Sequence, residues 1–263
     1  MSAPGDALDF GGRVVLVTGG SRGVGRGIAE RFLEAGAEVA VCGRTAPEEP
    51  PRAAGREAAF VSADVREPDQ AAAACEFARE RFGRLDVLVN NAGGSPSAEA
   101  ATASPRFSES IVRLNLLAPL HCAQAANTIM QAQDEGGAIV NIASVSAIRP
   151  SPGTAAYAAA KAGLLALTQT LAVEWAPRVR VNAVVAGMIR TEQSHLHYGD
   201  ESGIAAVGAT VPLGRMGEPH DVGDACLYLA SPLSAYVSGA SLLLHGGGEK
   251  PAFLGAARNT RSD

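Results

Sequence analysis

Arg13-Val14-Val15-Leu16-Val17 runs into Thr18-Gly19-Gly20-Ser21-Arg22-Gly23-Val24-Gly25 and then into a helix-favouring segment that ends near Ala35. The β-branched apolar run reads as a buried strand, and the glycines mark the turn from that strand into the first helix. Glycine tolerates positive φ and lets a backbone come close to a ligand. The unpaired N–H groups at a helix N-terminus favour an anion, so a turn of this kind suits a pyrophosphate. The spacing is Gly-x-x-x-Gly-x-Gly.

Outward from this turn, short Val- and Ile-rich runs recur at Glu38-Cys42, Ala59-Ser62, Leu85-Asn90, Ala138-Ala143, Val179-Val184 and Ser241-His245. Between them lie helical segments at Pro68-Phe82, Arg106-Gln133, Thr154-Ala176 and Pro219-Leu229, several followed by glycine stop signals such as Gly36 and Gly83. Strand and helix alternate along the chain, which requires right-handed crossovers covering both faces of one sheet. The expected fold class is α/β: a single doubly wound, Rossmann-type domain over residues 1–263, with a seven-stranded, mostly parallel sheet flanked by helices. Thr45 to Arg56 carries Pro47, Pro50 and Pro51, so a loop or one short turn is expected in place of a second helix. Residues 188–215 are weakly periodic and read as a lid, with Leu196, Ile204 and Val207 beside His195, His197 and Tyr198 facing a partly apolar substrate. Gly246-Gly247-Gly248 opens a tail over 246–263 that is expected to be mobile, with Asn259 to Asp263 disordered. Phe253 and Leu254 are apolar enough to dock on a neighbouring subunit or near the substrate pocket.

Composition narrows the classes further. The chain has 263 residues, 22 Lys+Arg against 27 Asp+Glu, and no basic run, which argues against nucleic acid or an anionic membrane as a partner. No apolar stretch approaches the roughly 18–20 residues of a membrane span. Met1 to Gly12 has neither a basic nor an apolar signal region, so a cytoplasmic location is expected. The 4 cysteines are scattered without a Cys-x-x-Cys pair, and His195-x-His197 does not share a helical face, so no metal is expected.

The second strand closes at Cys42-Gly43-Arg44, where a carboxylate would accept hydrogen bonds from ribose hydroxyls in an NAD(H) site. A guanidinium stands there instead. With Arg22 in the turn, Arg44 can clamp a 2′-phosphate, so NADP(H) is favoured and NAD(H) is the alternative. Asp64-Val65 and Asn91-Ala92-Gly93 follow the third and fourth strands, at the ends where open α/β sheets bind ligands.

Tyr157 and Lys161 are separated by three alanines and therefore share one helical face. A free phenol titrates near pH ~10. A nearby ammonium favours the phenolate and is expected to bring Tyr157 toward the range of a general acid/base. Ser144 follows the fifth strand and can polarise a carbonyl oxygen; no Gly-x-Ser-x-Gly surrounds it, which removes nucleophilic serine catalysis. Pro119 cannot donate an N–H to the carbonyl of Asn115, leaving that carbonyl open to a water inside a helix.

In this order, Thr18-Gly19-x-x-x-Gly23-x-Gly25, Asn90-Asn91-Ala92-Gly93, Asn115, Ser144 and Tyr157-x-x-x-Lys161 resemble the classical short-chain dehydrogenases/reductases across almost the whole chain. The resemblance to the 3-oxoacyl-[acyl-carrier-protein] reductase branch is general. It implies that Ser144 orients the substrate oxygen, Tyr157 exchanges its proton, Lys161 lowers the tyrosine pKa and Asn115 holds a relay water. It also implies cofactor contacts from Gly19, Ser21, Arg22, Gly23, Val24, Gly25, Arg44, Asp64, Val65, Asn91, Ala92, Gly93, Tyr157, Lys161, Gly187, Ile189 and Thr191. Ala186 stands where the family usually has a proline. The extended sugar-nucleotide relatives and the enoyl reductases, with their different spacings, fit less well. The resemblance implies NAD(P)-dependent oxidation of a CH–OH group or the reverse, on a small molecule: a 3-oxoacyl thioester, or a hydroxysteroid or other secondary alcohol. It also implies a homotetramer assembled through the long fourth and fifth helices and the C-terminal strand. A non-catalytic dinucleotide sensor or scaffold would keep the turn without needing the catalytic group.

Overall fold

The computed structural model describes residues 7–256; the expectation for Asn259 to Asp263 lies outside the described residues. Seven strands form one sheet: β1 (Val14–Thr18), β2 (Glu38–Gly43), β3 (Ala59–Ser62), β4 (Val87–Asn90), β5 (Gly137–Ser144), β6 (Val179–Ala186) and β7 (Ser241–Leu244). Their spatial order is β3-β2-β1-β4-β5-β6-β7, and every neighbouring pair is parallel. The strand order reverses between β1 and β4, where open sheets form a ligand crevice.

The period of two along β1 builds two cores from one strand. Val14 and Leu16 face one side, where they join small side chains of α2 (Pro68–Phe82), Ala71, Ala74 and Ala78. Val15 and Val17 face the other, against Ile28 and Phe32 of α1 (Gly23–Glu34). A strand buried on both faces has no polar alternation, which is why these runs read as continuous apolar stretches. On the second face α1 lies directly on the later helix α8 (Pro219–Ala230): a Cβ on Gly27 would sit 2.3 Å from the Pro219 Cβ. Gly27 is thus a close-packing residue, with no part in a phosphate turn.

The structure corrects two local expectations. Residues 45–56 do not form a plain loop: Arg52–Ala53 and Arg56–Glu57 pair as an antiparallel hairpin. Its turn places Ala54 at φ 49° and Gly55 at φ 75°, the positive angles at both central positions that a tight hairpin needs. Alanine pays for this conformation where asparagine tolerates it. Ala54→Asn is therefore expected to stabilise the fold by about 0.5–1 kcal/mol, measured as a raised midpoint in thermal unfolding; a lowered midpoint would contradict the turn assignment.

The second correction concerns the expected helix at 106–133. It is three pieces: α3 (Pro105–Val112), a π-helical turn over Arg113–Leu117, and α4 (Ala118–Gln131). Pro119 offers no N–H, and the helix widens just before it, the Ala118 N–H reaching the Arg113 carbonyl five residues back. Ser104 caps α3, accepting from the Phe107 N–H at 3.2 Å. The remaining helices are α5 (Ala155–Glu174), α6 (His195–Tyr198), α7 (Glu201–Thr210) and α9 (Ala252–Ala256). Among the described residues no helix is long and apolar enough to cross a membrane.

Candidate active site

A cleft of about 1060 Å³ opens at the C-terminal ends of the strands. Its phosphate end is built by the turn after β1. Gly19 is tied to β2 by its N–H donating to the Cys42 carbonyl at 2.8 Å. The Thr18 hydroxyl accepts from the N–H groups of Asn91 and Ala92, both at 3.0 Å. In return the Asn91 amide donates to the carbonyls of Thr18 and Gly19. The ends of β1 and β4 are thereby locked at the point where the sheet order reverses. No acidic residue and no capping side chain occupies the first turn of α1, so its N–H groups remain available to an anion.

The glycines fit such a ligand for different reasons. Gly19 has φ 63° and Gly23 φ 53°, angles that oppose any side chain. At Gly25 a Cβ would stand 2.3 Å from the Gly19 carbonyl oxygen and 2.4 Å from the Asn91 amide nitrogen. These residues form a backbone cradle that only glycine permits, which is the chemistry a dinucleotide pyrophosphate requires.

At the adenosine end, Arg22 and Arg44 are exposed on the cleft wall, and neither has a carboxylate partner among the described residues. Asp64 is different. Its carboxylate is bound by the Arg66 guanidinium, whose hydrogen bonds hold it below the usual carboxylate range. Asp64 and Val65 line the cleft.

The chemical end gathers Ser144, at the last position of β5, with Tyr157 and Lys161 on the first turns of α5. Lys161 is 3% exposed and donates to the Ile142 carbonyl at 2.7 Å. Burial pulls its pKa down from the ordinary lysine value to about 8. Its nitrogen lies 5.7 Å from the centre of the Tyr157 ring. Burial pushes the Tyr157 phenol above its usual value, and the nearby Ser144 hydroxyl pulls the other way. The Lys161 ammonium is thus held by a backbone carbonyl on the Tyr157 side of the cleft wall.

The Lys161 shift has a consequence for stability. The unfolded chain keeps the ordinary lysine affinity for a proton, and the folded chain releases it near pH 8. Between pH 8 and the unfolded lysine value, near ~10.4, the unfolded state binds more protons, so this residue makes stability rise with pH. Below pH 8 its desolvation penalty is present in full. Denaturant unfolding of Lys161→Met against wild type is expected to show the mutant's advantage shrinking from pH 8 to 10; a constant difference would contradict the buried ammonium.

Asn115 is wholly buried and lies behind the cleft wall. Its Oδ1 accepts from the Gly94 N–H at 2.9 Å, and its amide donates to the carbonyls of Gly94 and Ile111 at 2.9 and 3.0 Å. The side chain latches the loop after β4 onto the π-helical turn. A Cβ on Gly93 would fall 2.7 Å from Asn115 Oδ1 and 3.2 Å from Lys161 Nζ, so Gly93 is the thin partition between these two groups. Every other residue assigned to catalysis or the cofactor, including Ala92, Gly187, Ile189 and Thr191, lies on the cleft wall.

The lid does not match its apolar description. Of the six residues singled out there, only Tyr198 lines the cleft; Leu196 is 67% exposed and Ile204 is buried away from it. The wall instead shows Ser146, which the sequence offers as a weaker candidate than Ser144 for polarising the carbonyl, and Arg149, Ser151 and Gln193, which sequence reasoning missed because isolated polar residues in loops carry no periodic signal. The glycine tail is also more tied than expected: the Leu213 N–H bonds the Gly246 carbonyl at 3.1 Å, and Glu249 pairs with Arg149. Phe253 and Leu254 are exposed.

A family described as enoyl-(acyl carrier protein) reductase matches residues 19–249. The chain is 36% identical over 242 residues to a 3alpha-hydroxysteroid dehydrogenase of Mediterraneibacter gnavus, covering 89% of this chain and 96% of that one. The chain belongs to the short-chain dehydrogenase/reductase family. Within this family it is also 33% identical to the 2-dehydro-3-deoxy-D-gluconate 5-dehydrogenase of Escherichia coli, over 92% of this chain and 97% of that one. The ligand-free aldohexose dehydrogenase of Thermoplasma acidophilum superposes with a TM-score of 0.84 at 30% identity, over 97% of this chain and 99% of that structure. This short-chain dehydrogenase/reductase is an NAD(P)-dependent oxidoreductase acting on CH–OH groups, and its all-parallel sheet agrees with the fold expected from the strand pattern.

Proposed function

We propose that the protein interconverts a ketone and a secondary alcohol with NADP(H), through Ser144, Tyr157 and Lys161. The observation that carries this reading is the convergence of Ser144, Tyr157 and Lys161 on the wall of the same cleft as the glycine cradle. A nicotinamide dinucleotide bound along the cleft supplies the hydride equivalent. The glycine turn and the free N–H groups of α1 hold its pyrophosphate, and Asn91 keeps that turn in place. Ser144 positions the substrate oxygen by hydrogen bonding. Tyr157 gives that oxygen a proton in reduction and takes it back in oxidation. Lys161 keeps a positive charge beneath the phenol, where it stabilises the phenolate left after the proton has moved. Asn115 fixes the loop behind Lys161 and is placed to order a water beyond it.

Arg22 and Arg44 support the NADP(H) preference: both are exposed beside the phosphate turn, and among the described residues neither forms an ion pair with a carboxylate. Hydrogen bonds to a charged group are worth about 1.5–3 kcal/mol, so Arg44→Ser is expected to weaken NADPH binding by tenfold or more while leaving NADH binding nearly unchanged. Fluorescence titration with both cofactors decides it; equal losses would remove the clamp.

The substrate test is oxidation of NADPH and NADH with 3-oxoacyl thioesters, steroid ketones and simple ketones, together with the reverse reaction on the alcohols. A second reading, a hydroxysteroid or sugar-type alcohol dehydrogenase, is favoured by the names of the relatives. It predicts turnover of those alcohols with no turnover of the thioesters. Tight dinucleotide binding with no turnover of any member would favour a sensor or scaffold. The proposal includes a homo-oligomer, supported by the exposure of Val173 on α5 and Leu243 on β7, with light scattering as its test.

A further inference from the structure

The substrate end of the cleft contains one cation that neither the glycine turn nor the catalytic group uses. Arg149 lies on the wall shared with Ser144 and Tyr157. Its backbone is fixed relative to the catalytic serine: the Arg149 N–H bonds the carbonyl of Val145, the residue after Ser144, at 3.1 Å. The Arg149 backbone therefore stands at a set place just past Ser144, and its guanidinium donates to the Pro150 carbonyl at 3.0 Å. Beside it the Ser146 and Ser151 hydroxyls bond each other at 3.1 Å, and Tyr198, held above its usual pKa by burial, lines the same cleft.

Among the described residues, the only carboxylate paired with Arg149 is Glu249. Glu249 comes from the chain end and directly follows Gly246, Gly247 and Gly248, all at positive φ (64°, 94° and 86°). A half-exposed guanidinium on the cleft wall, paired with a carboxylate from a separate segment, is an anion seat with a displaceable occupant.

We propose that Arg149 recognises a carboxylate on the substrate, and that Glu249 holds this seat until the substrate displaces it. The inference rests on the oxidoreductase reading above and specifies its substrate as an oxo acid or hydroxy acid. A phosphate group would satisfy the same guanidinium; the carboxylate is favoured because a carboxylate already fills the seat with this geometry.

The test compares 5-oxohexanoate with its methyl ester as substrates for wild type, Arg149→Gln, Arg149→Lys and Glu249→Gln, with thermal melts to establish that each variant is folded. In parallel, hexanoate and hexylphosphonate are titrated calorimetrically into the NADP⁺-loaded protein. Wild type is expected to favour the acid over the ester at least tenfold in kcat/KM. Arg149→Gln is expected to erase this preference through KM for the acid, with the ester little changed. Arg149→Lys should restore part of the preference, and Glu249→Gln should lower KM for the acid several-fold. Hexanoate should bind wild type and lose at least tenfold in affinity to Arg149→Gln.

Equal use of acid and ester by wild type, equal losses of both in Arg149→Gln, or hexanoate binding indifferent to Arg149 would overturn the proposal while leaving the oxidoreductase reading intact. Tighter binding of hexylphosphonate than of hexanoate would overturn the assignment to a carboxylate. If no ketone is turned over but hexanoate binding still depends on Arg149, the oxidoreductase reading fails and the anion seat stands.

Discussion

Tyr157→Phe is expected to lower kcat/KM for ketone reduction by about 10²–10⁴-fold, the range that general acid–base groups contribute. The substitution removes one oxygen from a half-buried side chain and keeps its ring against the Lys161 ammonium, 5.7 Å away. Folding and cofactor binding should therefore persist. The loss should appear mainly in kcat, with NADPH still bound, because the phenol acts on the reacting oxygen and the cradle that holds the pyrophosphate lies elsewhere. Measurement of NADPH oxidation and of NADPH binding on the same preparations separates the two. Turnover undiminished by the mutation would remove Tyr157 from the mechanism. In the mutant Ser144 keeps its contact with the Ser146 N–H at 3.2 Å, so the serine stays in place and the effect reports on the proton alone.

Gly25→Ala is expected to produce the second large effect, a loss of dinucleotide binding of about a hundredfold or more together with destabilisation of about 1–3 kcal/mol. The new methyl would meet the Gly19 carbonyl at 2.3 Å and the Asn91 amide at 2.4 Å. The Gly19 oxygen is backbone, and the Asn91 amide is committed to two carbonyls of the turn. Neither can withdraw without opening the cradle. Gly43→Ala provides the contrast, because the nearest atom to its added carbon is 3.6 Å away; stability and binding should change little. Thermal unfolding and NADPH titration of both variants check this, and wild-type binding by Gly25→Ala would show that the turn does not hold the phosphates.

The sheet was legible because a parallel strand covered on both faces must be apolar at nearly every position, as Val14 to Val17 and Val39 to Cys42 are. The phosphate turn was legible because Gly19 and Gly23 answer to positive backbone angles inside the turn itself. The Tyr157–Lys161 pair was legible because one helical turn fixes which residues share a face. Gly27 was not, since its reason is Pro219, almost two hundred residues away. The hairpin at 52–57 was hidden by prolines that exclude a helix without specifying what replaces it.

The sequence by itself determined the order of strands and helices, the location of the glycine turn and the spacing of Tyr157 and Lys161, because each follows from interactions between near neighbours. Tertiary structure decided the direction of the Lys161 ammonium, the latch between Asn115 and Gly94, and the meeting of Arg149 with Glu249. Those contacts join segments far apart in the chain. Their partners are selected by packing, and burial then decides which charge each group keeps.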